Sequence, residues 1–177
     1  MARKVTFVDG KPPYRNCTGC RTCEVICSLV HEETCNPRKG RLSVIRVEPA
    51  MNKTVVCYQC RKPPCGEKCP VEVITYDVKK GIVVVDETKC IGCGICIEAC
   101  PFGAMKMHLT TSKAIKCDLC YGKYPTPACV EFCAPGVLKF TDANTLAYDK
   151  ASNYVYRSIK PEQKKLGLLD SPKSKLH

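Results

Sequence analysis

The 177-residue chain has no tryptophan, only four phenylalanines and only three histidines. With so few aromatic side chains it cannot build a conventional aromatic-rich core, so something bound must replace part of one. No run approaches the roughly 18 apolar residues of a membrane span. The opening residues, MARKVTFVDG, hold neither an apolar h-region nor a small-residue cleavage site, so no secretory leader is read there. There is no catalytic-triad pattern, no paired-carboxylate site and no glycine-rich phosphate loop. These absences argue against a secreted disulfide scaffold, a membrane protein and a self-contained enzyme. The expected location is the cytoplasm.

What the chain has in excess is cysteine, 17 residues in all. Sixteen fall into four groups: Cys17-x2-Cys20-x2-Cys23-x3-Cys27, Cys57-x2-Cys60-x4-Cys65-x3-Cys69, Cys90-x2-Cys93-x2-Cys96-x3-Cys100 and Cys117-x2-Cys120-x8-Cys129-x3-Cys133. Each opens with x2 and closes with x3, and only the middle gap varies, so the chain repeats one ligand pattern. Three thiolates from one tight loop can cap three irons of a 4Fe–4S cube. The fourth cysteine is expected to start a helix, point away from its own loop and serve the other cluster of a pair, as in the run C-x2-C-x2-C-x3-C-P of two-cluster ferredoxins. The third group fits that run through Pro101, and the second ends in Cys69-Pro70. Gly92 and Gly94 allow the backbone to turn close to an inorganic core. Zinc is the competing reading for Cys57/Cys60 and Cys117/Cys120, but the triple runs and the lack of histidines at ligand spacing fit it poorly. A radical enzyme using S-adenosylmethionine needs C-x3-C-x2-C, which none of the groups supplies. Cys35, in the polar stretch HEETCNPRKG, is left over and reads as a spare thiol.

The formal charge of +11 suggests nucleic-acid binding, yet no motif accompanies it. Four oxidised all-cysteine cubes would contribute about −8, bringing the total near +3, and one-electron reduction of all four would take it to about −1. The Lys and Arg excess therefore offsets cluster charge.

The pattern also predicts an organisation. Residues 55–106 form a two-cluster ferredoxin module, with strands Val71–Tyr76 and Ile82–Val85 joined by a turn at Lys80-Gly81. The outer groups then pair with each other, so residues 1–54 and 107–140 make a second, discontinuous module with the first nested inside it. Its expected strands are Leu42–Val47 and Val137–Phe140. Cys23–Glu33 reads as a helix, apolar at Val25, Ile26, Leu29 and Val30, and the helix after each closing cysteine is expected to be short. The fold class is α+β, two nested ferredoxin-like modules with a C-terminal extension. One cluster takes Cys17, Cys20, Cys23 and Cys133, and its neighbour takes Cys117, Cys120, Cys129 and Cys27. The inner pair take Cys57, Cys60, Cys65 with Cys100, and Cys90, Cys93, Cys96 with Cys69. Residues 141–177 read either as a partly disordered tail or as an arm for a partner or another copy, anchored by Tyr148, Tyr154 and Tyr156.

The stretches CTGCRTCEVICSLVHE, CYQCRKPPCGEKCP, CIGCGICIEACP and CDLCYGKYPTPACVEFC resemble the four-cluster iron–sulfur subunits of molybdenum and tungsten oxidoreductases, over about residues 14–140. That family also serves hydrogenases, formate dehydrogenases and carbon monoxide dehydrogenase. CSLVHEETCNPRKGRLSVIRVEP is more similar to the soluble ferredoxin-like subunits beside tungsten aldehyde oxidoreductases and benzoyl-CoA reductases. In a departure from the two-cluster run, Cys27 is followed by Ser28, and Cys133 by Ala134-Pro135. The resemblance implies a non-catalytic electron wire between a molybdenum or tungsten subunit, of the aldehyde oxidoreductase type first, and a flavin subunit, ferredoxin or other acceptor. A free-standing polyferredoxin and an end-to-end filament are the other readings.

Overall fold

Short ribbons and shorter helices make up the computed structural model, which describes residues 4–7, 16–47 and 51–142, with 144, 145, 147, 148 and 151. It divides into two units, Met1–Thr141 and Asp142–His177. The first holds four two-stranded antiparallel ribbons among its described residues. In chain order its strands are β1 (Lys4–Phe7), β2 (Ser43–Val47), β3 (Met51–Val55), β4 (Ile74–Asp77), β5 (Ile82–Val85), β6 (Lys106–Met107), β7 (Ala114–Ile115) and β8 (Leu138–Thr141). Its helices are α1 (Thr22–Glu32), α2 (Pro64–Glu67), α3 (Ile95–Ala99) and α4 (Ala128–Glu131), with a 3-10 turn at Pro37–Lys39.

The hairpin between the second and third cysteine groups forms with its second strand as expected, but its first strand starts at Ile74, three residues later than expected, because Val71 and Glu72 still belong to the turn that leaves Cys69. β4 pairs with β5, Ile74 opposite Val85 and Asp77 opposite Ile82. Gly81 takes φ 70° in the turn, its N–H bonds Asp77 O at 2.8 Å, and Asp77 Oδ1 accepts the Lys80 N–H at 3.0 Å. The expected outer strands also form, shifted by about one residue, but each has a partner that the sequence pattern did not reveal. β2 pairs with β3, Ser43 opposite Val55, and β8 pairs with β1, Thr141 opposite Lys4. KVTF alternates but is only four residues long, and MNKTV carries too little apolar alternation to stand out as a strand.

The short helices precede the closing cysteines rather than follow them. Cys23, Cys65, Cys96 and Cys129 are each the second residue of a helix, while Cys69, Cys100 and Cys133 lie just past the ends of α2, α3 and α4. Pro70 and Pro101 explain two of these stops. Proline disfavours helical geometry at the residue before it and cannot donate its own N–H, and Cys100 is extended, with φ −84° and ψ 108°.

The buried face of α1 differs from the apolar stripe expected for it. Cys23, Glu24, Cys27 and Ser28 are buried, whereas Leu29 is exposed. Residues four apart share a helix face, so the two thiols bring Glu24 and Ser28 inward with them. Glu24 is satisfied by Arg21 Nε at 2.5 Å and the Val44 N–H at 2.7 Å. Ser28 donates to Val25 O at 2.8 Å and accepts from the Asn36 N–H at 3.1 Å.

Two hydrophobic clusters fill the unit. One gathers Val5, Cys23, Cys27, Leu42, Val56, Ile82, Cys117, Leu119, Cys129, Val137 and Leu138. The other gathers Cys65, Val73, Ile74, Val83, Cys90, Cys96, Met105 and Ala114. β5 is the partition between them. Successive side chains on a strand point to opposite faces, so Ile82 and Val84 join the first cluster while Val83 and Val85 join the second. The β6–β7 ribbon pairs Lys106 with Ile115 and Met107 with Ala114. Lys106 Nζ donates to Gly40 O and Leu42 O, both at 2.8 Å.

In the second unit, Asp142 Oδ1 accepts the Thr145 N–H at 2.8 Å, and Tyr148 is exposed. Tyr154, Tyr156 and the rest of the expected arm beyond residue 151 lie outside the described residues. Among those described, no helix is long and apolar enough to cross a membrane.

Candidate metal centres

The four cysteine loops share one backbone device. The residue just before the second cysteine is left-handed in every group: Gly19 (φ 72°), Gln59 (φ 52°), Gly92 (φ 73°) and Leu119 (φ 60°). That turn aims an amide back at the loop's first thiol, the local geometry of an anion-binding nest. Gly19 N–H reaches Cys17 Sγ at 3.4 Å, Leu119 N–H reaches Cys117 Sγ at 3.4 Å, and Gln59 N–H bonds the Cys57 thiol. In the third group the Ala114 N–H takes that place on Cys90 Sγ at 3.4 Å. Just after the 3-10 turn, the Arg41 N–H reaches Cys27 Sγ at 3.3 Å.

Gly92 is needed twice over. It is left-handed, and a Cβ there would lie 2.4 Å from Ser112 O, whereas a Cβ on Gly94 (φ +79°) meets nothing within 4 Å. Gly94→Ala is therefore expected to cost about 1–2 kcal/mol from backbone strain alone. Gly92→Ala should cost about 2–5 kcal/mol, because the crowding adds to that strain. Anaerobic chemical unfolding of the two variants measures the difference, and equal losses would contradict this account of Gly92.

The thiols gather across groups. One cavity is lined by Cys90, Cys93 and Cys96 together with Cys69, and with Gly92 and Gly94. A second is lined by Cys57, Cys60 and Cys65 together with Cys100. Cys23 lies within electrostatic reach of Cys17, Cys20 and Cys133. Cys129 lies within reach of Cys117, Cys120 and Cys27, with Cys23 farther down the order of influence. Cys35 is exposed on the loop after α1 and joins none of these sets.

Burial makes these thiols reluctant to ionise by themselves. It pushes Cys23 up to about 12, with the Glu24 carboxylate and the neighbouring thiols adding to the effect. It pushes Cys27 up to about 11 against the Arg41 N–H and Cys65 up to about 11. Burial likewise raises Cys57, Cys96, Cys117, Cys120 and Cys129. Cys20 goes the other way, lowered chiefly by the Thr22 hydroxyl. Grouped, repelling, desolvated thiols are poor nucleophiles and good metal ligands, because a bound cation supplies the charge that ionisation needs. Iron–sulfur cubes fit this donor set of thiols in fours with amides aimed at sulfur.

The sequence pattern gave no sign of several polar residues around the thiols. The His31 side chain is buried, with Nε2 3.4 Å from Asp118 Oδ1 and 3.8 Å from Cys120 Sγ, and burial drives it well below the usual histidine range. Ligand atoms of His31, Asp118 and Cys120 lie within 4.8 Å of one another, but Cys120 is shared with the four-thiol set. Arg41 Nη1 bonds Asp118 at 3.1 Å. Gln59 and Lys116 are buried polar residues between cysteine loops.

Residues 50–143 match a family described as the 4Fe-4S dicluster domain, a span that takes in three of the four cysteine groups. The protein YsaA of Escherichia coli (strain K12) is 42% identical over 135 residues, 71% of this chain and 84% of that one. The polyferredoxin-like subunit of an aliphatic sulfonate oxidoreductase from Pyrococcus furiosus is 43% identical over 117 residues, 66% of each chain. The electron transport protein HydN of Escherichia coli (strain K12) is 35% identical over 155 residues, 73% of this chain and 85% of that one. A solved structure of the active site complex BamBC of benzoyl coenzyme A reductase aligns with 90% of this chain and 97% of its own, at TM-score 0.45 and 22% identity.

Proposed function

The chain belongs to the 4Fe-4S dicluster family and is an iron–sulfur electron-transfer protein; from that premise we propose that it carries four 4Fe–4S clusters and serves as the non-catalytic wire of a cytoplasmic oxidoreductase complex. The catalytic partner in this reading is a molybdenum or tungsten subunit, the aldehyde oxidoreductase type first, and the other partner is a flavin subunit or ferredoxin. The clusters, when bound, supply one-electron steps at potentials set by ligation, hydrogen bonding and solvent access.

The observation that carries the reading is the mixing of groups. Each cysteine-lined cavity takes three thiols from one loop and one from the end of another helix, and the outer groups show the same mixing. This mixing supports the ligand sets of the nested arrangement, with residues 55–106 inside a module formed by 1–54 and 107–140. The chain's own part is to hold and tune. The left-handed loop residues point amides at sulfur, α1 to α4 place the third and fourth thiols, and Cys20 and Cys93 are exposed where partners can approach.

Purification from the native host, with iron, molybdenum and tungsten measured on the same sample and co-purifying proteins identified by mass spectrometry, tests the partner. A stable association with a molybdenum or tungsten protein is expected. The chain eluting alone at full cluster content would overturn the subunit reading.

A further inference from the structure

Lys116 brings its charge into the interior, where it is 3% exposed. Its Nζ donates to Cys117 O at 2.7 Å and to Gln59 Oε1 at 3.3 Å. Both acceptors are neutral, and no ion pair to it forms among the described residues. A buried charge without a counter-charge is costly. The two acceptors belong to different cysteine loops, Gln59 lying between Cys57 and Cys60 and Cys117 opening the fourth group, so the ammonium sits where the two loops meet.

Gln59 holds this arrangement. It occupies the left-handed loop position that is glycine in the first and third groups, where a side chain strains the backbone. The side chain is used in full. Nε2 donates to Cys117 O at 2.8 Å, and Oε1 accepts the Val83 N–H at 2.8 Å beside the lysine. One amide thus ties the second cysteine loop, the partition strand β5 and the fourth cysteine loop to a single ammonium group.

We propose that Lys116, positioned by Gln59, is the shared counter-charge of two adjoining clusters, the one held by Cys57, Cys60, Cys65 and Cys100 and the one held by Cys117, Cys120, Cys129 and Cys27, and that it sets their reduction potentials together. The assignment rests on the four-cluster reading. Reduction adds one negative charge to a site. A fixed cation in a low-dielectric interior stabilises that charge far more than one in water does. Because the same ammonium faces both sites, an electron on either one keeps the same cation beside it, and the crossing between the inner and outer cysteine sets stays close to level.

The test is a potentiometric titration followed by electron paramagnetic resonance on the anaerobically reconstituted full chain, with iron and sulfide counted first. Lys116→Gln should move two of the four transitions to lower potential, each by about the 59 mV that corresponds to a tenfold change in a one-electron equilibrium. The other two should not move. Lys116→Arg, which keeps the charge, should restore both. Gln59→Glu keeps an acceptor for the Val83 N–H and sets a carboxylate against the ammonium, so it should lower the same two potentials even if Lys116→Gln fails to assemble. Unmoved potentials in Gln59→Glu, or a shift confined to one cluster or spread over all four, would overturn the assignment. Fewer than four clusters in the unsubstituted chain would remove the four-cluster reading itself, and the assignment with it.

Discussion

Cys27→Ala should cost the chain the cluster held by Cys117, Cys120 and Cys129, and leave the one held by the rest of Cys27's own loop. About four of about sixteen irons should be lost, and the resonance spectrum of the variant should match that of Cys117→Ala, not that of Cys17→Ala. The expectation follows from where α1 carries its second thiol. Cys27 is 5% exposed, and the thiol that most opposes its ionisation is Cys120, a residue of the fourth group. Cys23, one turn earlier on the same helix, is opposed by Cys17, Cys20 and Cys133. Cys133→Ala should therefore be the mirror image and silence the first group's cluster. A Cys27 variant that loses the first group's cluster instead would break the crossover scheme.

Stripping the iron should unfold the first unit. A chelator under air is expected to abolish the far-ultraviolet circular dichroism of the chain, with a loss on the order of 10 kcal/mol per structural metal site. The folded parts are too small to persist without the metal. Isolated two-stranded ribbons are marginal in water, and α2, α3 and α4 have four, five and four residues, far below the length at which helices hold by themselves. The cores cannot compensate, since four of the eleven buried residues in one cluster and three of the eight in the other are cysteines. Apo-protein that keeps its dichroism would show that the apolar packing suffices without iron.

The sequence made the ligand spacing and the β4–β5 hairpin legible, because both are local. Cysteine spacing is a count, and IVVV after a Lys-Gly turn is a strand by composition. Non-local features stayed hidden. Nothing in KVTF marks it as the partner of residues 138–141, because its alternation says that it can be a strand but not which distant segment it pairs with. The α1 face departs from its apolar stripe for a related reason. Hydrophobic periodicity finds the side chains that avoid water, but this helix is oriented by its thiols, which draw Glu24 and Ser28 into the interior and leave Leu29 exposed. Pro70 and Pro101 hold the cysteine before them out of helical geometry, which fits the ends of α2 and α3, but proline is also favoured at a helix's first position, so the same pairs equally suit a helix starting there. Gln59 and Lys116 gave no signal, since a polar residue beside a cysteine looks the same whether it is solvated or bridges two loops.

The central claim, four cubes on sixteen thiols, is tested most directly by counting iron and acid-labile sulfide per chain in protein purified without oxygen. The account predicts about sixteen of each. About eight of each, with the remaining thiols free or holding zinc, would contradict it.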